Sequence, residues 1–243
     1  MLNERSKQVR RDTIALSKAN GGYHYGGTFS CTEILISLYD HVMDQDNDRF
    51  ILSKGHGCWS YYVLLRELGY DPPLEGHPHR DTHNGVHWTT GSEGHGFPAG
   101  IGMALAKRMK DDTGHVYVVI GDGECQEGTT WESMLTAVKH NLINLTIIVD
   151  NNGIQGSGHT ADILPIDAMW RCAGTIGWNM IGVDGHDTLE VTKALRARHT
   201  HKPTMVVAHT VKGKGVSYME NVPCWHAKWP DQDSENQALE ELK

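Results

Sequence analysis

Short apolar runs, separated by longer segments of helical spacing, set out the chain. His115 to Ile120 (HVYVVI), Leu145 to Val149, Trp178 to Val183 and Pro203 to His209 (PTMVVAH) read as buried parallel strands, and Asp48 to Leu52 as a further short strand. Helical spacing predicts helices over 3–20, from Ser30 to about Val42, from the turn at Lys54-Gly55-His56 to about Leu68, over Gly96–Met109, over Glu127–His140, over 165–175, and from Asp187 to about His201. Asn20-Gly21-Gly22 closes the first helix. Ser30 is expected to cap the second, with Glu33 in the capping-box position, and Asp187 to cap the last. Strand and helix alternate, so the expected class is α/β, a mostly parallel sheet with helices on both faces. One domain is expected over 1–243, with a charged tail from about 217.

The candidate chemistry gathers where the apolar runs stop. Asp122, in GDGECQEG at 121–128, follows one run; Asn152, in Asp150-Asn151-Asn152-Gly153, follows the next. The carboxyl ends of the strands border the ligand crevice in an open parallel sheet. One carboxylate, one amide oxygen and nearby carbonyls there make a hard-oxygen set for Mg²⁺ or Ca²⁺. Gly121 and Gly123 let the backbone approach a phosphate. Either turn alone is common; the pair, behind two strands, points to a metal. Ser53-Lys54-Gly55-His56 brings a strand end to a helix start, where N–H groups suit an anion. His77, His79, His83, His87 and His95 crowd one stretch, but their spacing is not a common zinc pattern and no cysteine joins them, so a solvated loop is the plainer reading. Gly100, Gly102, Ala104 and Ala106 form a small-residue stripe suited to close packing on a helix or a neighbouring protein. Glu127 is an acid at a helix start, where the dipole favours it. The segment after Ile154 (QGSGHTADI) is a polar loop able to cover a ligand.

Composition narrows the class. The chain has 243 residues, 39% apolar and 21% charged, enough for one sizeable core. With 22 Lys+Arg against 30 Asp+Glu its formal charge is −8, which argues against nucleic acid or an anionic membrane as the main partner. No apolar run is long enough to span a bilayer, and MLNERSKQVRRD lacks the apolar region of a secretory signal. Five scattered cysteines without a C-x-x-C suggest reduced thiols and a cytoplasmic protein.

Six separated motifs, in order, resemble one family. They are SKANGGYHYGG (17–27), DRFILSKGH (48–56), GHP (76–78), TTGS (89–92), GDG with NN about thirty residues on, and KGKGV followed by Trp225-His226. Together they resemble the thiamine-diphosphate-binding half of transketolase. The resemblance implies a thiamine-diphosphate fold of the diphosphate-binding type and transfer of a two-carbon ketol unit from a ketose, expected to be phosphorylated, to an aldose. Asp122, Asn152 and the Ile154 carbonyl would hold the metal. Gly121, Gly123, Glu124, Asn152, His56 and His226 would serve the diphosphate, and Gly91, Ser92 and Glu93 would line the thiamine. His24 and His226 would move protons, His77 would hold the donor's terminal hydroxyl, and Glu127 would sit at a subunit interface. The family's activating glutamate lies in a pyrimidine-binding domain that no segment here resembles. The resemblance therefore implies a separate C-terminal subunit carrying that glutamate, in an α2β2 assembly.

The departures are specific. SKANGGYHYGG has one extra residue before its histidine, Glu93-Gly94-His95-Gly96 replaces the usual Leu-Gly-Gln-Gly, His87-Trp88 replaces the usual Glu and its neighbour, and Ala227 replaces a glycine. A buried Glu93 needs a partner, either the cofactor's cationic ring or a histidine. His87 and Trp88 raise the expectation of an unusual substrate. Two other readings stay open: half of another thiamine-diphosphate enzyme (an acyloin synthase or a 2-oxo acid decarboxylating complex), and a non-catalytic, degenerate relative.

Overall fold

The computed structural model describes residues 2–243. Asn3 caps α1 (Glu4–Ala19) by accepting from the Ser6 N–H. Then come α2 (Tyr25–Ser30) and α3 (Thr32–Ile36), which widens into a π-helical turn over Ser37–Val42. β1 (Arg49–Leu52) leads through a 3₁₀ turn to α4 (Trp59–Glu67). A long irregular stretch precedes α5 (Gly96–Met109), β2 (Val116–Gly121), α6 (Gly128–Lys139) and β3 (Leu145–Asn151). A small hairpin of β4 (Ile154–Gln155) and β5 (Gly158–His159) is followed by α7 (Thr160–Ile163) and α8 (Asp167–Ile176). β6 (Asn179–Asp184), α9 (Thr188–Arg196), β7 (Thr204–His209) and α10 (Gln232–Glu241) complete the order.

The five main strands form one parallel sheet in the order β1-β2-β3-β7-β6. Register explains the core. Ile51, Val118, Ile147, Met205 and Met180 stand side by side across the sheet and pack on α5, α6 and α8. The next row, Leu52, Val119, Ile148, Val206 and Ile181, faces α3, α4 and α9. With both faces covered, the strands are apolar without alternation, as their sequences suggested.

Several expectations need correction. Ser30 is not a helix cap: it ends α2, and its hydroxyl donates to Asp150 (2.5 Å). Glu33 is no capping-box acid either. Fully buried, it pairs with Arg10 (2.5 Å) and reaches His186 (2.8 Å). Burial opposes its charge, but Arg10 and His186 hold its carboxyl down to about 2. The helix after Asp187 stops at Arg196, short of His201. The small-residue stripe is divided: Gly100 and Ala104 are buried, a Cβ on Gly100 lying 2.5 Å from Val118 of the chain's own sheet, whereas Gly102 and Ala106 are exposed. The charged tail is folded. Ala238 and Leu242 are buried with Ile14, Tyr25, Phe29, Val216, Met219 and Trp225 in a third apolar cluster.

Candidate functional site

The ends of β1, β2, β3 and β7 meet over one crevice, and each delivers charged or polar side chains to it. Just past β1, the fully buried Lys54 donates to the Gly27 carbonyl (2.8 Å) and pairs with Asp150 of β3. Ser30 and Thr210 also donate to Asp150, and the Asn152 amide lies 3.2 Å from it. Burial works against both charges of the pair, but each partner more than offsets this, raising Lys54 and lowering Asp150. Asp122 follows β2 and accepts from the N–H groups of Gly123 (2.9 Å) and Gly153 (2.6 Å). It thereby draws the turns after β2 and β3 together. Burial, then the negative charge of Asp150, pushes its carboxyl up. Asn152 Oδ1 accepts from the Ile154 N–H (3.1 Å). Lys212, beyond β7, donates to the Ile154 carbonyl (2.8 Å) and approaches His226 Nδ1 at 3.0 Å. Burial, then Lys54, lowers Lys212 to about 8.

Four histidines close over this floor. The His24 ring centroid is 5.7 Å from His56, 6.2 Å from His77 and 5.6 Å from His226, and His56 lies 4.9 Å from His226. His24 adopts the left-handed backbone conformation, φ 68°, a strained choice for a non-glycine residue. Burial is the main force on all four rings. It lowers His24 and His226 to about 4, and lowers His77 and His56 as well. All four are therefore neutral at pH 7. Two polar atoms around the crevice, His24 Nδ1 and Thr90 Oγ1, are buried with no partner among the described residues. Groups of this kind are normally satisfied by something bound.

The family model for the thiamine diphosphate binding domain of transketolase matches residues 6–237. The chain belongs to that family. It is 38% identical to an apulose-4-phosphate transketolase subunit of Actinobacillus succinogenes, over 100% of this chain and 96% of that protein. It is 33% identical to the 6-deoxy-6-sulfo-D-fructose transketolase subunit SqwG of a Clostridium species, with the same shares covered. Against the transketolase of Rattus norvegicus it is 32% identical, but covers 42% of that protein. Among solved structures, transketolase from Campylobacter jejuni superposes with a TM-score of 0.85 at 24% identity, over 98% of this chain and 42% of that one, a likeness of fold. The chain thus spans about two-fifths of the rat and Campylobacter transketolases, and nearly all of the two relatives that are named as subunits.

Within this transketolase domain the expected site residues fall into three groups. Asp122, Asn152, Ile154, His24, His56, His77 and His226 converge at the crevice. Gly91 lies at its rim, where a Cβ would stand 3.4 Å from His77, and Ser92 is exposed beside it with its hydroxyl 3.3 Å from His95. Gly121 and Gly123 sit on the turn, where a Cβ on Gly123 would stand 3.2 Å from Gln155 and 3.8 Å from Glu93. Glu93 is exposed rather than buried, with its carboxylate 3.4 Å from His56 Nδ1. Glu124 differs: its carboxylate turns inward and accepts from Ser53 Oγ (2.5 Å), Gly94 N–H (2.8 Å) and Gly121 N–H (2.8 Å). Burial pushes it up to about 7. It braces three loops and presents nothing to a diphosphate. Glu127 stands exposed at the start of α6 beside Gly94, away from the histidines. The expected covering loop is the β4–β5 hairpin, and a Cβ on Gly156 would lie 3.5 Å from His226 Nε2.

Sequence reasoning missed Lys54, Asp150 and Lys212 as individual actors. Each stood inside a motif already noticed. The signal was a lysine in an otherwise apolar or glycine-rich strand end, where a buried charge requires a partner. His79, His83, His87 and His95 do not join the cluster, and no metal-ligating group of three or more His, Cys, Asp or Glu occurs among the described residues. His87 instead accepts from the Phe50 N–H (3.1 Å) at the sheet edge.

Proposed function

We propose that this chain is the diphosphate-holding subunit of a two-chain, cytoplasmic transketolase. Its substrates would be a ketose donor and an aldose acceptor, and its partner a separate C-terminal subunit that carries the activating glutamate. The observation that supports this best is the convergence of Asp122, Asn152 and Ile154 with two buried lysines and four histidines at the strand ends.

The donor set fits the group. A carboxylate, an amide oxygen and a main-chain carbonyl are hard oxygens suited to Mg²⁺ or Ca²⁺. Lys212 has a carbonyl and an imidazole for partners, not a carboxylate, which leaves its charge available to a diphosphate. When bound, thiamine diphosphate supplies a nucleophilic carbon that takes up and passes on a two-carbon unit. The protein's share is positioning and proton transfer. Asp122 and Asn152 would anchor the metal, and His56, His226 and Lys212 would hold the phosphates. His24 and His226, neutral at pH 7, are able to accept a proton from a donor hydroxyl and return it to an acceptor. His77 would orient the donor's terminal hydroxyl. Glu93 is exposed to solvent and so is not a stranded charge, which favours a working site over a degenerate one.

Two of the relatives are named for sugars that carry a phosphate or a sulfonate. A ketose with a terminal anion is accordingly the donor class proposed here, in an α2β2 assembly. The test is a ketol-transfer assay on the chain with and without its partner, across phosphorylated, sulfonated and neutral ketoses. Turnover only with both chains, and only with anionic ketoses, is expected. Full turnover by the lone chain, checked by mass spectrometry for a co-purified partner, overturns the two-chain reading.

A further inference from the structure

A second cavity, of about 380 Å³, lies at the opposite end of β1 from the crevice. Its walls include Arg49, Arg80, Lys107 and Lys110, with a single carboxylate, Asp112, among them. Asp112 is taken up by Lys107 (2.7 Å) and by the Gly114 N–H (2.7 Å). Arg49 donates to the carbonyls of Asp48 (2.6 Å) and Asp46 (3.3 Å) and forms no ion pair among the described residues. The Arg80 and Lys110 side chains are exposed, with no hydrogen-bond partner among the described residues. A chain of formal charge −8 has therefore gathered four cations around one hollow.

Thr82, Met103 and Ala106 also line it, together with His87 and Trp88, the pair that departs from the transketolase pattern. His87 Nδ1 lies 3.1 Å from the Phe50 nitrogen and 3.3 Å from the Phe50 carbonyl oxygen, which ties the ring to the sheet edge. Trp88 is 40% exposed, a large aromatic surface left in water beside cations. These residues were expected to alter substrate choice, but the sheet places them elsewhere. Arg49 opens β1 and Ser53 follows it, so the two ends lie roughly 13 Å apart at about 3.3 Å per residue.

We propose that this cavity is a binding site for a small planar organic phosphate, of mononucleotide size. Arg80, Lys110 and Arg49 would hold the phosphate and Trp88 would stack on the ring. Guanidinium groups suit phosphate geometry, the exposed indole offers a π-face with cations beside it, and the volume falls within the range of small-molecule sites. None of these residues belongs to the crevice, so the site stands whatever the crevice binds.

The test is calorimetric titration of the full chain with AMP, and separately with inorganic phosphate. One AMP per chain is expected. R80A/K110A should weaken it at least tenfold, W88A should weaken AMP but not phosphate, and D122A, which disables the crevice, should leave it unchanged. The altered side chains are exposed, so all of these variants except D122A keep their core contacts. Absence of AMP binding, binding that R80A/K110A leaves intact, or binding lost in D122A would each overturn the proposal.

Discussion

Lys212 reaches the Ile154 carbonyl and the His226 ring at once, and so ties the expected metal site to the expected proton-transfer site. Replacing it with methionine keeps the stem and removes the charge. Charge-assisted hydrogen bonds contribute roughly 1.5–3 kcal/mol, so Lys212→Met should weaken thiamine diphosphate about tenfold to a hundredfold by titration calorimetry; an unchanged affinity would remove Lys212 from the phosphate site. Asp122→Ala should abolish metal-dependent cofactor binding, with circular dichroism showing the fold retained. Glu93→Leu removes the carboxylate beside His56 and should change cofactor affinity or the ranking of ketose donors; identical kinetics across the panel would mean that Glu93 merely faces solvent. Asp122, Asn152 and the histidines were legible because short motifs carry them. The Lys54–Asp150 pair was not, because a partner ninety-six positions away leaves no local trace.

Among the elements, the strands were the easiest to read, since burial on both faces makes them continuous apolar runs. α2 was hidden. Gly26 and Gly27 are poor helix formers, and the segment is helical because tertiary contacts demand it. A Cβ on Gly27 would lie 2.8 Å from His56, and one on Gly26 2.8 Å from the Trp225 carbonyl. α9 ends at Arg196, and residues 197–203 are irregular. Arg10 and Glu33 join α1 to α3 beneath α2, at 2.5 Å and without solvent. Breaking such a pair leaves an uncompensated buried charge, at a cost of about 3–5 kcal/mol. Glu33→Ala should therefore lower the urea midpoint sharply. A change within experimental error would show that the backbone carbonyls of Ser6, Phe29 and Lys214 suffice for Arg10.

Over the whole molecule, pH acts through histidines buried in their neutral form. His115, against Thr146 at 2.8 Å, is lowered to about 3 and His87 to about 4, in both cases mainly by burial. Both values fall below the unfolded value near 6.5, so the unfolded chain takes up protons first as the solution is acidified. Stability from these groups is complete above about pH 6.5 and is lost as pH falls towards 4, by up to about 1.4 kcal/mol per pH unit for each. Thermal midpoints at pH 7.5 and 5 should show the drop, and His115→Gln should reduce it. The five cysteines are all free thiols, so no covalent tie offsets that loss.

The third apolar cluster bears on when the site can form. Ile14, Tyr25 and Phe29 lie near the start of the chain, yet they pack on Trp225, Ala238 and Leu242. His24 stands next to Tyr25, and Gly26 rests on the Trp225 carbonyl. During synthesis the edge of the crevice formed by residues 14–29 must wait for residues 225–242 to emerge from the ribosome. The sheet can assemble strand by strand while the histidine cluster remains open, so ligand competence arrives as a late, all-at-once event rather than growing with the chain.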